Sequence, residues 1–294
     1  VTPRLRGILL MAMSMAVFAV LDASAKYAMQ SLPPPVAVFF RYIVALVLSA
    51  VLILQQGGYN LFLTRRLGLH VLRGLLLVMS TGLNFIAISK LQLAQTAAIS
   101  FTIPLWVCAL SIPFLGEQVG PRRWAAVIVG FLGVLVIMRP GTGGFHWAML
   151  LSMGAALAGA IYNIATRKVG GSDRAETSLF YVCLVGSAGA ALPFAGHWQM
   201  PQGFEWLILG LMGLCGSAGH WLLIEAHRLA PASVLAPFVY TQIVWMILLG
   251  FLVFGDVPDG WTLFGGLIVI ASGLYVYARE RTLGRPAIVA AGAD

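Results

Sequence analysis

The chain has 294 residues, 60% of them hydrophobic and 10% charged, with a mean hydropathy of +0.92. That composition excludes a soluble globular domain and describes an all-α polytopic membrane protein. The net charge of +8 is spread through short loops and forms no basic stripe, which argues against a nucleic-acid partner; Cys108, Cys183 and Cys215 lie inside apolar runs without a CxxC or clustered histidines, so no disulfide framework, metal site or cofactor is implied.

A membrane-spanning helix needs roughly 20 apolar residues, and the chain supplies ten such runs: 7–29, 33–54, 68–89, 93–115, 122–139, 146–167, 175–195, 204–226, 231–254 and 261–278. The first imitates a secretory signal, with Arg4 and Arg6 before an apolar stretch and Ala23-Ser24-Ala25 resembling a cleavage site, but its length and an internal counterpart favour a span. The loops are short, the longest running from 55 to 67, and leave no room for a soluble domain. Any function must reside between the helices. With the spans alternating in direction, fourteen of the eighteen Lys and Arg fall on the face of the N-terminus; Lys26, Lys90 and Arg139 fall on the other and Arg41 lies inside the second span. A basic excess of that kind marks the cytoplasmic side. Both termini, including a tail at 280–294, are therefore expected in the cytoplasm of a bacterial inner-membrane protein.

The two halves echo each other. "GILLMAMSMAVFAVLDASAK" from Gly7 sits over "WAMLLSMGAALAGAIYNIAT" from Trp147, and "FTIPLWVCALSIPFLGEQ" from Phe101 sits over "YTQIVWMILLGFLVFGDV" from Tyr240. The expected units are 1–141 and 142–279, with five spans each. Because five is odd, the second unit starts from the opposite side of the bilayer, giving ten transmembrane helices in two inverted repeats. Such pairs enclose a central site near the midplane that faces either side by rocking.

Each half closes with an apolar helix, a glycine-acid turn (Leu115-Gly116-Glu117; Phe254-Gly255-Asp256) and a glycine-rich last helix, and "RLAPASVLAPFVYTQIVW" is similar to the fourth helix of EamA repeats. The chain thus resembles the drug/metabolite transporter (DMT) superfamily from about Gly7 to Arg279, with the YddG-type amino-acid exporters the nearest likeness. That resemblance implies an inner-membrane exporter whose cavity is lined by the first four helices of each repeat, with the fifth outside.

Pro104 and Pro237 fall in the fourth helix of each half. Each frees a carbonyl four residues back, at Ser100 and Ser233, and so favours a kink that faces protein or a wet cavity. Tyr240, Thr241 and Gln242 follow the second proline, and an analogous patch, Ser100, Phe101 and Thr102, precedes the first. Ser80 and Asn84 share a face of the third span near mid-bilayer. His220 lies on the eighth span, where Gly210, Gly213, Gly216 and Gly219 recur every third residue. The expected lining is Phe18, Ser80, Asn84, Phe101 and Trp106 from one half, and Tyr162, Asn163, His220, Phe238, Tyr240 and Gln242 from the other. Asp22, Lys26 and Arg41 form a charge cluster in which Asp22 pairs with Lys26 at i,i+4 or with Arg41 across the turn, as a structural pair, a gate or a coupling group. Asp22 has no acidic mate in the second half, where Tyr162 and Asn163 stand; this departs from the small multidrug pumps.

Aromatic and neutral polar walls without a phosphate-binding cluster of basic residues fit a small amphipathic metabolite. With the resemblance, they point to a secondary transporter of neutral or aromatic amino acids, working by alternating access. A drug efflux carrier of the same superfamily and a channel are the alternatives. An intramembrane enzyme using Ser217 and His220 lacks a third orienting group. Lipid and the transported metabolite are the partners implied, with no obligate protein partner.

Overall fold

In the computed structural model, which describes residues 3–55, 63–64, 66–115, 120–169, 175–230 and 232–282, the ten crossings are built from twelve helices because two of them are broken. The first half contributes α1 (Pro3–Ala28), α2 (Pro34–Gln55), α3 (Leu67–Ile88), the broken pair α4 (Leu93–Ser100) and α5 (Ile103–Leu115), and α6 (Pro121–Met138). The second repeats the pattern with α7 (Ala148–Val169), α8 (Ala175–Gly196), α9 (Glu205–Leu229), the broken pair α10 (Ala232–Val239) and α11 (Gln242–Phe254), and α12 (Gly260–Thr282). Nine segments among the described residues are long and apolar enough to cross a membrane; the apolar part of α6, Trp124–Met138, is shorter. The turn at Gly116-Glu117, the loop at 56–62 and the tail beyond 282 lie outside the described residues. Large apolar side chains on the outer surface, such as Leu192 at 82% and Leu207 at 68% exposure, belong in acyl chains.

Helix pairing follows a pseudo-two-fold. The most extensive interface is α1 on α9, and its mate under exchange of halves, α3 on α7, is also among the larger ones; α2–α9 and α3–α8 form a second such couple. Two further interfaces, α2–α8 and α6–α12, join a helix to its own counterpart. Full-length spans that each pack on their own mate cannot share one axis along the membrane normal, since each pair would have to occupy the same line through the bilayer. An axis in the membrane plane passes through both crossings, as inverted repeats require. The loop contacts agree, with residues expected on one face meeting only each other: Ser31 donates to Glu205 (2.5 Å), and Arg139 pairs with Asp259 (2.5 Å).

Serine hydroxyls and bare glycine backbones draw the helices together. Ser14 donates to the Gly219 carbonyl (2.7 Å) between α1 and α9, and Ser80 to the Ala155 carbonyl (2.8 Å) between α3 and α7. The fifth helices of the two halves, α6 and α12, meet where a Cβ on Gly265 would stand 2.6 Å from the Gly133 carbonyl, so only glycine lets the backbones approach there.

Both broken spans bend at equivalent residues, each marked by a threonine. Thr102 donates its hydroxyl to the Ile99 carbonyl (2.7 Å) and Thr241 to the Phe238 carbonyl (2.6 Å), and the amide of each threonine bonds the same carbonyl. A threonine that bonds back to the preceding turn competes with the helical ladder and bends it. Pro104 follows its break by two residues, whereas Pro237 precedes its break and sits inside α10. The threonine bond is common to both breaks, and at the first the missing N–H of Pro104 also leaves the Ser100 carbonyl without its helical donor.

Candidate functional site

The two breaks face a cavity of about 240 Å³ between the halves, lined by Phe18, Leu21 and Asp22 of α1, Arg41 of α2, Ser80, Thr81, Asn84 and Phe85 of α3, Ser100 and Ile103 at the first break, Ala155 and Ala156 of α7, and Gln242 at the second. Polar groups at this depth persist only where they bond or meet water. Asn84 approaches Asp22 (Nδ2 to Oδ1, 3.5 Å), and Arg41 donates to Thr81 (2.8 Å) while its guanidinium lies over the rings of Tyr42 and Phe85.

A smaller chamber of about 70 Å³ adjoins it toward the face where α1 begins, here the near face, and Arg41 lines both. Its walls include Tyr42, Arg73, Tyr162, Thr166, Ser178, Ser217 and His220. His220 meets Phe18 edge to face at 5.1 Å, which joins the floor of one chamber to the wall of the other.

Of the residues expected in the lining, Phe18, Ser80, Asn84, Gln242, Asp22 and Arg41 meet in the larger cavity, and Tyr162 and His220 in the smaller. The remainder are placed elsewhere. Trp106 packs on Phe131 of α6 (4.6 Å) among the side chains between α5, α6 and α7. Phe101 is buried against Tyr240 (5.0 Å), whose hydroxyl lies against the bare backbone of Gly273 in α12. Phe238 joins the cluster of Met11, Met15 and Leu235, and Asn163 lines neither chamber. The physical reason is azimuth: Trp106 and Tyr240, just past or at a break, turn toward the fifth helices α6 and α12, while Phe238, before its break, turns toward α1.

Lys26 corrects the expected pairing. It bonds Asp256 (2.5 Å) at the end of the ninth span and the Leu91 carbonyl (3.0 Å) between α3 and α4, and not Asp22. Asp22 and Arg41 share a cavity wall without forming an ion pair. Gln92 adds a bond to the Val257 carbonyl (3.3 Å). These contacts tie the two halves together at the far face, opposite the start of α1. There α4 also packs on α11, whereas among the described residues the equivalent near-face pair, α5 and α10, makes no comparable contact. At the near face the halves are joined instead by hydrogen bonds from Arg73 of α3 to Thr166 of α7 and Ser178 of α8.

Arg73 was not singled out by its sequence position, because it follows Arg65 and Arg66 closely and reads as a loop charge. Its spacing from Leu77, Ser80 and Asn84 places all four on one helical face, and that signal finds it. It is 4% exposed and donates from Nε to Thr166 (2.9 Å) and from Nη1 to Ser178, with its guanidinium 5.3 Å from the Tyr162 ring.

Two stretches, residues 5–139 and 146–278, match the EamA-like transporter family. Similar curated proteins include a riboflavin transporter of Vibrio cholerae, 31% identical with 92% of this chain and 93% of that one covered. An S-adenosylmethionine uptake transporter of Rickettsia felis is 29% identical, with 90% of each covered, and a pseudopaline exporter of Pseudomonas aeruginosa is 26% identical, with 90% and 94% covered. A solved structure at 18% identity superposes with a TM-score of 0.64 over 96% of this chain and 98% of its own, a likeness of fold.

Proposed function

The chain belongs to the EamA-like transporter family of the DMT superfamily, and on that premise we propose that it is an alternating-access carrier for a small amphipathic metabolite with an amino-acid head group. Amino acids themselves fit this class, and so does S-adenosylmethionine, for which relatives are named. The observation that carries the reading is the mid-span cavity at the two helix breaks, closed on the far side by the Lys26–Asp256 ion pair and the Gln92 bond between the halves. A channel needs both ends open at once, whereas a carrier occludes one end in each state. The lining supports the cargo class: Asp22 with Asn84 suits an ammonium or sulfonium, Arg41 a carboxylate, and Phe18 and Phe85 an apolar body. Asp22, Lys26 and Arg41 are the proposed gating and coupling charges, and Ser80 and Gln242 the neutral contacts.

The near face carries the basic excess and is assigned to the cytoplasm of a bacterial inner membrane. Export is the direction the resemblance implies; in the absence of a coupled gradient, flux runs whichever way the cargo gradient points. The test is counterflow in proteoliposomes with labelled L-tryptophan, S-adenosylmethionine and riboflavin. Saturable uptake accelerated by unlabelled cargo inside is expected for a member of the amino-acid class. Non-saturable flux without acceleration would mean a pore, and movement of riboflavin alone would replace the cargo class while keeping the carrier.

A further inference from the structure

The near-face chamber holds two guanidinium groups, Arg41 and Arg73, and among the described residues no carboxylate lines it. Arg73 is almost wholly buried, and all the acceptors around it are neutral: Thr166 at 2.9 Å, Ser178, the Tyr162 hydroxyl at 3.4 Å and His70 Nδ1 at 3.4 Å. Arg41 likewise bonds the neutral Thr81. The acid nearest by sequence at this end of α9, Glu225, is taken by Arg228 (2.6 Å). Hydroxyls fix the direction of a guanidinium without neutralising it. A buried cation left that way is costly inside a membrane, and such groups persist where a pathway uses them.

We propose that Arg41 and Arg73 form a carboxylate-binding subsite on the near-face approach, so that cargo arrives with its carboxylate leading and Arg41 passes that group into the central cavity. The proposal rests on the carrier reading above and deepens it. The chamber is tighter than the central cavity, about 70 against 240 Å³, which fits a stage of entry. The fork of a guanidinium matches the two oxygens of a carboxylate. A dianionic phosphate is the poorer fit, because Asp22 stands in the adjoining cavity and would repel a second negative charge. Once Arg41 holds the carboxylate in the central cavity, Asp22 on the same cavity wall takes the ammonium of a zwitterion. Ser178 and Thr166, by holding the Arg73 plane, act as positioning residues.

The experiment uses the full chain in proteoliposomes, with labelled S-adenosylmethionine, L-tryptophan and riboflavin, the last lacking a carboxylate. Arg73→Gln is expected to raise the KM of the carboxylate-bearing cargo roughly tenfold to a hundredfold, the range for loss of a charge-assisted hydrogen bond, with Arg73→Lys retaining part of the affinity. Should Arg73→Gln fail to fold, competition on the unaltered protein gives the same information: L-tryptophan is expected to inhibit and tryptamine, which keeps the ring and ammonium, to inhibit at least tenfold less. Wild-type KM in Arg73→Gln, equal inhibition by tryptamine, or stronger inhibition by inorganic phosphate overturns the subsite. Flux of riboflavin alone also overturns it while the carrier stands; saturable flux of none of the three removes the carrier reading as well.

Discussion

Replacing Lys26 with methionine keeps most of its stem and removes the charge that ties α1 to Asp256 and to the Leu91 carbonyl. The ion pair is partly buried, with 14% and 24% of the two side chains exposed. Exposed pairs contribute about 0.2–1 kcal/mol and breaking a buried one costs about 3–5 kcal/mol, so about 2 kcal/mol suits this intermediate site. If that energy favours only the far-closed state, the equilibrium moves about thirtyfold toward opening at the far face. The readout is the labelling rate of Ser100→Cys, inside the cavity, by a membrane-impermeant maleimide added to spheroplasts. Cys108, Cys183 and Cys215 are first replaced by alanine. Lys26→Met should label faster by an order of magnitude or more, and the charge swap Lys26→Asp with Asp256→Lys should restore slow labelling. A rate in Lys26→Met equal to that of the parent would refute the argument, because the tie would then hold nothing shut.

The other expectations concern the frame. Thr102→Val and Thr241→Val each remove the hydroxyl bond at a break, which should cost about 1 kcal/mol; similar losses of thermal stability in the two variants, measured in detergent, check that the breaks are equivalent. Gly265→Ala puts a methyl group 2.6 Å from the Gly133 carbonyl, so α6 and α12 must separate, at about 1–3 kcal/mol, read as a lowered Tm. Partial burial pushes the Asp259 carboxyl up, but hydrogen bonds from Thr262 and the Arg139 guanidinium outweigh it and hold the group below the usual carboxylate range. A depressed folded value means that its stabilisation is complete above the unfolded pKa of about 3.9 and is lost as pH falls through the folded value. The stability gap between the parent and Asp259→Asn should therefore be constant at neutral pH and close in acid; a gap that persists below the folded value contradicts the pairing.

Hydropathy alone located all ten crossings, with ends within a few residues of those observed, because burying backbone in lipid leaves the helix as the available form for an apolar run of that length. The wall formed by Asp22, Arg41, Ser80 and Asn84 was equally legible, since polar groups in apolar runs must turn inward. Trp106 and Tyr240 were not, because aromatic residues are at home against lipid, protein or cargo, and only the bend at Thr102 or Thr241 decides which they meet. Arg73 escaped because charge counting near a helix end does not separate a loop cation from one a turn and a half inside.

The fold is close to symmetric under exchange of its halves, but its charges are not, and the difference bears on which state is favoured. The position equivalent to Lys26 in the second half is Thr166, which accepts a bond from Arg73 and carries no charge. Among the described residues an ionic tie like Lys26–Asp256 has no counterpart at the near face, and Arg41 and Arg73 repel each other across the chamber that near-face closure would have to narrow. Among the described residues, these charges favour the near-open state. A carboxylate bound between the guanidiniums removes that repulsion, so on the proposed reading the cargo itself supplies what near-face closure lacks. An empty carrier would then stay open to the near side, and the loaded one would be free to turn.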